Sequence, residues 1–333
     1  MYLVKRPTGD GVGAGDLECR DRPIPTEVEA GMCLVKNILV SLDPTHRIWM
    51  SDTPQYMPSV GLNTVMRAGT IGKVVLTSDP EKMPLGTVVS GLGGVQEYSI
   101  EAIAGLNPVV PGVPLSWNMS VLSMVIGHTA WVGTKICGPK PGETFVVSGG
   151  AGAVGSVAGQ LAKIAGARVV GIAGTPAKCA WMTEELGFDG AINYKTETIT
   201  EGLKREAPDG VDCYFDNVGG DVLDQVLGQF NTFGRVAFCG AISTYGKLEN
   251  KVSGPSNWKM LLMRRITLQG FICVDHVASI MESMTEIGAA LQDGKIKFNE
   301  DCRETGVENY VDTVNLLYTG GNKGKLMMKI ADE

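Results

Sequence analysis

The residues best suited to chemistry in this sequence are glycines. The run GGAGAVG, Gly149 to Gly155, contains the pattern G-x-G-x-x-G at Gly150, Gly152 and Gly155. It follows the strand-like TFVVS and opens the helix-like SVAGQLAKIAG, in which Val157, Leu161 and Ile164 recur at helical spacing and Gly166 marks a stop. A tight turn, a close backbone approach and the amides of a helix N-terminus, in that order, bind the pyrophosphate of a dinucleotide. One strand later RVVGIAG ends at Gly174, and Thr175, Pro176, Ala177 and Lys178 follow. A site selective for NAD carries Asp or Glu about 20 residues past the loop, bonded to the ribose hydroxyls. No acid stands here. A helix N-terminus capped by Thr175, with Pro176 in its first turn and the Lys178 ammonium beside it, suits a ribose phosphate, so NADP is expected in preference to NAD.

A dinucleotide needs a reacting partner, and metal ligation is the first alternative to weigh. The chain has three histidines, His46, His128 and His276, and no G-H-E sequence. Its eight cysteines include no C-x-x-C pair and no cluster of four. Zinc sites of the usual kinds require such spacings, so no metal is expected. Without one, alcohol oxidation lacks the Lewis acid that steadies an alkoxide. The cysteines are expected as reduced, buried thiols and His46 and His128 as packing or rim residues. Tyrosine hydroxyls remain. With a reference pKa of about 10 they are protonated at neutral pH and can hold negative charge developing on a carbonyl oxygen. Tyr245 lies in the loop after the strand RVAFCG, the end at which α/β sheets bind ligands, and Tyr56 is the second candidate.

These residues need elements to hold them. From Gly142 onward the strands TFVVS, ARVVGIAG, AINY, VDCYFDN, RVAFCG and ITLQGF end near Ser148, Ala173, Tyr194, Asn217, Cys239 and Phe271, with room for a helix after most of them. Near-continuous apolar strands alternating with helices predict a parallel sheet covered on both faces, an α/β doubly wound (Rossmann) arrangement. Before residue 115 the stretches CLVKNILVSLD, TIGKVVLTSD and GTVVSGLGG are short and broken by Gly and Pro, which predicts a β-rich domain. Trp117 to Trp131 and Val277 to Leu291 read as helical. KIKFNED and KLMMKI read as strands that could return the chain to the first domain.

Composition narrows the function classes. The 333 residues carry 29 Lys and Arg against 36 Asp and Glu, a net charge of −7, which argues against general attraction to nucleic acid or anionic lipid. No apolar run approaches the roughly 18 residues that span a bilayer, and MYLVKRPTGD has no signal-peptide core. A cytoplasmic protein with a small-molecule substrate, and with neither nucleic acid nor membrane as partner, is expected.

GGAGAVGSVAGQLAKIAG, FDNVGG and CGAISTYG together resemble the zinc-independent medium-chain reductases that act on α,β-unsaturated ketones: the prostaglandin reductases, plant alkenal double-bond reductases and bacterial curcumin reductase. The likeness runs from about Val40 to the end, and SLDPTHRIWMSDTPQY is especially similar to curcumin reductase. The resemblance implies a GroES-like barrel domain, residues 1–125 and 297–333, interrupted by a Rossmann NADP-binding domain, residues 126–296. It implies cofactor roles for Gly152, Ala153, Val154 and Gly155 and a phosphate role for Lys178. Tyr194, Asn217, Cys239, Ala241, Ile242, Ser243, Phe271, Ile272, Cys273 and Asn322 match family cofactor contacts, and Tyr245 and Tyr56 match tyrosines that face substrate. A homodimer is implied as well. Three places depart from the family: Thr45 and His46 where D-P-Y-M-R is common, Trp131 where T-A-Y is common, and VIGH where G-M-P-G is common; all are expected near the active-site mouth. The implied activity is NADPH-dependent reduction of an enone or enal. A zinc-free NADPH quinone reductase and a non-catalytic NADPH-binding protein are the alternatives.

Overall fold

In the computed structural model, which describes residues 1–247, 252 and 254–332, the chain divides into two units. One is formed by Met1–Met119, Tyr245–Lys251 and Glu300–Glu333, the other by Ser120–Thr244 and Val252–Asn299.

The first unit is built on a seven-stranded sheet. Its strands are β1 (Met32–Ser41), β2 (Thr70–Thr77), β3 (Val88–Gly91), β4 (Tyr98–Ala102) and β5 (Asn107–Pro108), joined by two strands from the chain's end. β1 is the centre, pairing antiparallel with both β2 and β4, and nearly every residue along it is buried. It leads into the helical turn His46–Trp49.

In the second unit, β6 (Thr144–Ser148), β7 (Arg168–Ala173), β8 (Gly190–Asn193), β9 (Val211–Asp216), β10 (Phe230–Phe238) and β11 (Thr267–Gly270) form a sheet of order β8-β7-β6-β9-β10-β11. Every pairing in it is parallel. This is the doubly wound order, with its reversal between β6 and β9. The longer helices are α1 (Thr129–Cys137), α2 (Ala153–Ile164), α3 (Pro176–Glu184), α4 (Ile199–Glu206), α5 (Gly220–Leu227) and α6 (Ile280–Gln292). Phe145, Val146, Val147, Val169, Val170 and Phe215 are fully buried, each contributing about 1.5–3 kcal/mol of hydrophobic stabilisation. α2 ends where Gly166 turns at φ +89°, and α4 starts with a reciprocal cap between Thr198 and Glu201.

Two segments differ from the sequence reading. Trp117 to Trp131 is not one helix: it comprises the end of a 3₁₀ turn, a five-residue π-helical stretch Met124–His128 and the start of α1. KIKFNED is mostly irregular, because the Lys295 and Ile296 amides turn back onto the Ala290 carbonyl at the end of α6. The strand β12 begins later, at Glu300, and runs to Glu304. After α7 (Tyr310–Thr319), β13 (Lys325–Lys329) pairs parallel with β12 and antiparallel with β1, bringing the C-terminal segment into the first unit.

Candidate functional site

At the carboxyl end of β6 the backbone makes a cradle. Gly149 sits at φ +60°, so it supplies the turn that the sequence pattern assigns to Gly150. Gly150 serves close packing instead: a Cβ there would lie 2.7 Å from Met182 Sδ and 3.2 Å from Gly171 Cα. Gly155 is tighter still, since its Cβ would lie 2.3 Å from the Gly149 carbonyl oxygen. Gly152 is the helix N-cap, its amide donating to the Gly149 carbonyl (2.8 Å). No side chain caps α2, whose first turn is Ala153, Val154 and Gly155. Uncapped amides at a helix start carry partial positive charge, and at Gly152 only the Gly149 carbonyl oxygen comes within 4 Å of a built Cβ. A pyrophosphate fits this arrangement.

The reversal point beside the cradle is organised by a residue that sequence reasoning passed over. Asp216 ends β9 and is fully buried. Its Oδ1 accepts from Ser148 Oγ (3.0 Å), the Tyr214 hydroxyl (2.7 Å) and the Val218 and Gly219 amides (both 2.9 Å). Its carbonyl accepts from the Cys239 and Gly240 amides at the end of β10. One residue thus ties together the ends of β6, β9 and β10. Burial raises its pKa, against the opposing pull of those donors, and Oδ2 has no hydrogen-bond partner. The clue was an acid closing the apolar strand VDCYFD, because a buried carboxyl must be satisfied. Asn217 then donates through Nδ2 to the Ser148 carbonyl (2.7 Å) and through its amide to Ser148 Oγ (2.9 Å).

At the end of β7 the expected cap is present: Thr175 Oγ1 accepts from the Lys178 amide (3.3 Å), with Pro176 opening α3. Lys178 is half-buried in that first turn. Where an acid would reach a ribose, Gly174 instead lies under the ring of the exposed Tyr194, whose hydroxyl oxygen would be 2.7 Å from a Cβ. Tyr194 therefore stands beside the turn that leads into Thr175 and α3.

The loop after β10 folds back on FDNVGG. The Ile242 and Ser243 amides donate to the Asn217 and Val218 carbonyls (3.4 and 3.2 Å), and Ser243 Oγ donates to the Val218 carbonyl (2.6 Å). Ala241 Cβ would lie 3.0 Å from a Cβ at Gly219. After β11, Phe271 stacks edge-on against Phe215, ring centroids 6.1 Å apart, and Ile272 and Cys273 start a 3₁₀ turn.

The remaining candidates lie in the first unit. Tyr245, largely buried, sits in the 3₁₀ helix Ile242–Lys247 and interacts electrostatically with Tyr318, whose hydroxyl lies 3.5 Å from the Pro44 carbonyl. Asn322 Nδ2 donates to the Gly324 carbonyl (3.0 Å). Tyr56 is exposed, and its oxygen accepts from Trp49 Nε1 (3.1 Å). Below it lies a buried polar cluster. Lys325 Nζ donates to Ser41 Oγ (2.6 Å), the Leu42 carbonyl (2.9 Å) and Asp43 Oδ1 (2.8 Å). Burial alone would raise the Asp43 pKa, but the Lys325 ammonium and His46 hold it below the ordinary value. Burial lowers the His46 pKa to about 4, and its Nδ1 lies 2.9 Å from the Tyr310 hydroxyl.

Two of the positions that depart from the family are buried. His46 is fully buried, and Trp131 packs on His128 with Nε1 donating to Glu286 Oε2 (2.7 Å). His128 is buried too, Nδ1 2.8 Å from Ser283 Oγ and Nε2 3.1 Å from the His276 carbonyl. The cysteines are all unbridged, but Cys19 and Cys302 are exposed. Among the described residues no three His, Cys, Asp or Glu side chains gather as a metal site, and no helix is long and apolar enough to cross a membrane.

Residues 1–109 match the family model for the N-terminal domain of oxidoreductase, and residues 153–291 match that for zinc-binding dehydrogenase. The chain is 38% identical to the NADPH-dependent curcumin reductase of Escherichia coli (strain K12), covering 99% of this chain and 96% of that protein. It is 36% identical to the 2-alkenal reductase (NADP(+)-dependent) of Nicotiana tabacum, over 96% and 93%. Among solved structures, CurA in complex with NADPH from Vibrio vulnificus superposes with a TM-score of 0.93 at 35% identity, covering 100% of this chain and 99% of that one. With likeness of this degree from end to end, the chain belongs to the zinc-independent medium-chain dehydrogenase/reductase family that includes the curcumin, alkenal and prostaglandin reductases.

Proposed function

We propose that the protein is an NADPH-dependent oxidoreductase that reduces the carbon–carbon double bond of α,β-unsaturated ketones and aldehydes. The carrying observation is the likeness, over nearly the whole chain, to the named curcumin and alkenal reductases. The acid-free end of β7, with Thr175 and Lys178 beside it, supports NADPH over NADH. When bound, the cofactor supplies a hydride. Gly149 to Gly155 and the start of α2 hold its pyrophosphate, Lys178 and Thr175 its ribose phosphate, and Tyr194, Asn217, Cys239 to Ser243, Phe271 to Cys273 and Asn322 its remaining surface.

The chain's own chemical work falls to hydroxyls. As the β-carbon of the substrate gains hydrogen, negative charge collects on the carbonyl oxygen as an enolate. Tyr245 donates a hydrogen bond to that oxygen, and Tyr56 closes the pocket as a second donor or an aromatic wall. Solvent protonates the α-carbon. Using NADPH deuterated at the transferred position and cyclohexenone, we expect label at the β-carbon, and a slower Tyr245→Phe variant that keeps its NADPH affinity. Label on the carbonyl carbon would mean ketone reduction, and an unchanged Tyr245→Phe rate would remove that residue from the chemistry.

Two copies are expected to join along β11, one of the sheet's two edge strands, flanked in sequence by the exposed Trp258, Leu262, Met263, Val277 and Met281. Light scattering at micromolar concentration should give twice the chain mass, and a single-chain mass would exclude the dimer.

A further inference from the structure

We propose that Trp49 is a positioning residue for Tyr56, holding the phenol as a hydrogen-bond donor rather than an aromatic wall; the inference rests on the enone reading above. An indole N–H can only donate. In the Trp49–Tyr56 pair, 3.1 Å apart, the phenol oxygen is therefore the acceptor, and the phenol's own proton takes no part in this bond. Accepting at oxygen also polarises the O–H bond, which strengthens it as a donor.

Trp49 is well placed to impose an orientation because it is itself fixed. It is buried, and its amide and carbonyl are bonded to the Thr45 carbonyl (2.9 Å) and the Val60 amide (2.8 Å). The His46 ring lies 5.3 Å from the indole at a 34° tilt, and the Arg67 guanidinium lies over the indole at 5.4 Å. His46 is held in turn by Tyr310. The segment carrying Tyr56 is closed at its base by Arg6, whose Nη1 donates to the Met50 (2.6 Å) and Val60 (2.9 Å) carbonyls and which pairs with Asp52. Inside the segment, Gln55 Nε2 donates to the Ile48 carbonyl and Ser59 Oγ (both 3.1 Å). Arg67 adds a charge: burial lowers its pKa and the neighbouring Tyr56 phenol opposes that shift.

The test is a double-substitution cycle with a spectroscopic arm. Trp49→Phe keeps an aromatic ring and removes the N–H. With cyclohexenone and NADPH, Tyr56→Phe should lower kcat about a hundredfold, the low end for losing an oxyanion donor. Trp49→Phe should lower kcat about tenfold without changing NADPH affinity, and should cost nothing more in the Tyr56→Phe background, because the two groups act as one. In the cofactor-free protein, one of the five tryptophan indole N–H resonances should move in Tyr56→Phe, and it should be the one that disappears in Trp49→Phe. Equal losses from Trp49→Phe in both backgrounds would mean that the indole supports the fold and not Tyr56. Indole resonances unmoved by Tyr56→Phe would mean that the bond does not exist, a result that needs no folded Trp49 variant. A silent Tyr56→Phe would make the phenol a wall. Any of these overturns the inference. Absence of enone turnover in the wild type would defeat the reaction assignment and the inference with it, and the wild-type control separates that failure from the others.

Discussion

Around Gly149–Gly155 the second unit offers a ligand its backbone, whereas around Trp49 and Asp43 the first unit offers side chains held by other side chains. The cradle depends on what is missing. Gly150 and Gly155 leave no room for a Cβ, and the start of α2 carries no side-chain cap. The first unit depends on what is present. Ser41, Asp43 and His46 come from one stretch near the start of the chain, Tyr310 and Lys325 from near its end, and they bond to one another out of water. A backbone site tolerates changes of side chain that keep the turn, and fails at a methyl group. A buried polar network tolerates changes around it, and fails when one partner is lost.

The contrast is broken most directly at Lys325. Replacing it with Met leaves Asp43 buried without its cation, a loss of about 3–5 kcal/mol by comparison with other severed buried pairs. The urea midpoint should fall sharply and recover in part when Asp43→Asn is added. Ala153→Ser, in the first turn of α2 and half-buried, should change stability by no more than about 0.5 kcal/mol. Similar midpoints for Lys325→Met and Ala153→Ser would show that the buried network contributes little.

His46 sharpens the same contrast through pH. It is fully buried, faces Asp43, Lys325 and Arg67, and has its folded pKa lowered from 6.5 to about 4, with burial the largest cause. Below pH 6.5 the unfolded chain therefore binds a proton that the folded chain refuses. The stability this gives is fully present above about pH 6.5 and is lost as pH falls toward about 4, by roughly 3 kcal/mol at 1.36 kcal/mol per unit. Denaturation across that window should show the slope, and His46→Gln should flatten it. Parallel pH profiles for the two proteins would remove His46 as its source.

The two regions were also unequally legible. The six strand ends near Ser148, Ala173, Tyr194, Asn217, Cys239 and Phe271 lie within about two residues of the observed ends, because buried parallel strands are apolar runs bounded by turn residues. The Thr175 cap was legible for the same reason: it is local chemistry. Asp216 was visible in FDNVGG, but nothing in the sequence said that four donors from two segments would converge on one of its oxygens. The Lys325–Asp43 pair was beyond reading, since it depends on β13 lying beside β1. Trp49 carries no signal of its own within SLDPTHRIWMSDTPQY, and its use as a donor to Tyr56 follows from the helical turn at His46. Backbone-made sites announce themselves in spacing. Side-chain networks built from distant segments need the fold first.

The smallest expected effect lies where backbone and side chain meet, at the start of α3. Thr175 and the helix N-terminus offer a ribose phosphate neutral donors, and Lys178 offers a charge in the same turn. A charge-assisted hydrogen bond is worth about 1.5–3 kcal/mol, roughly a tenfold to hundredfold change in affinity. In fluorescence titrations the wild type should bind NADPH more tightly than NADH, and Lys178→Ala should weaken NADPH within that range and leave NADH unchanged, because only the phosphorylated cofactor presents a group for the ammonium. Thr175→Ser, which keeps the capping hydroxyl, should preserve the preference. Equal wild-type affinity for the two cofactors would contradict the assignment of this corner to a phosphate. Equal weakening of both by Lys178→Ala would mean that the lysine supports α3 rather than the ligand, and that the preference for NADPH is made by the backbone, as the cradle is.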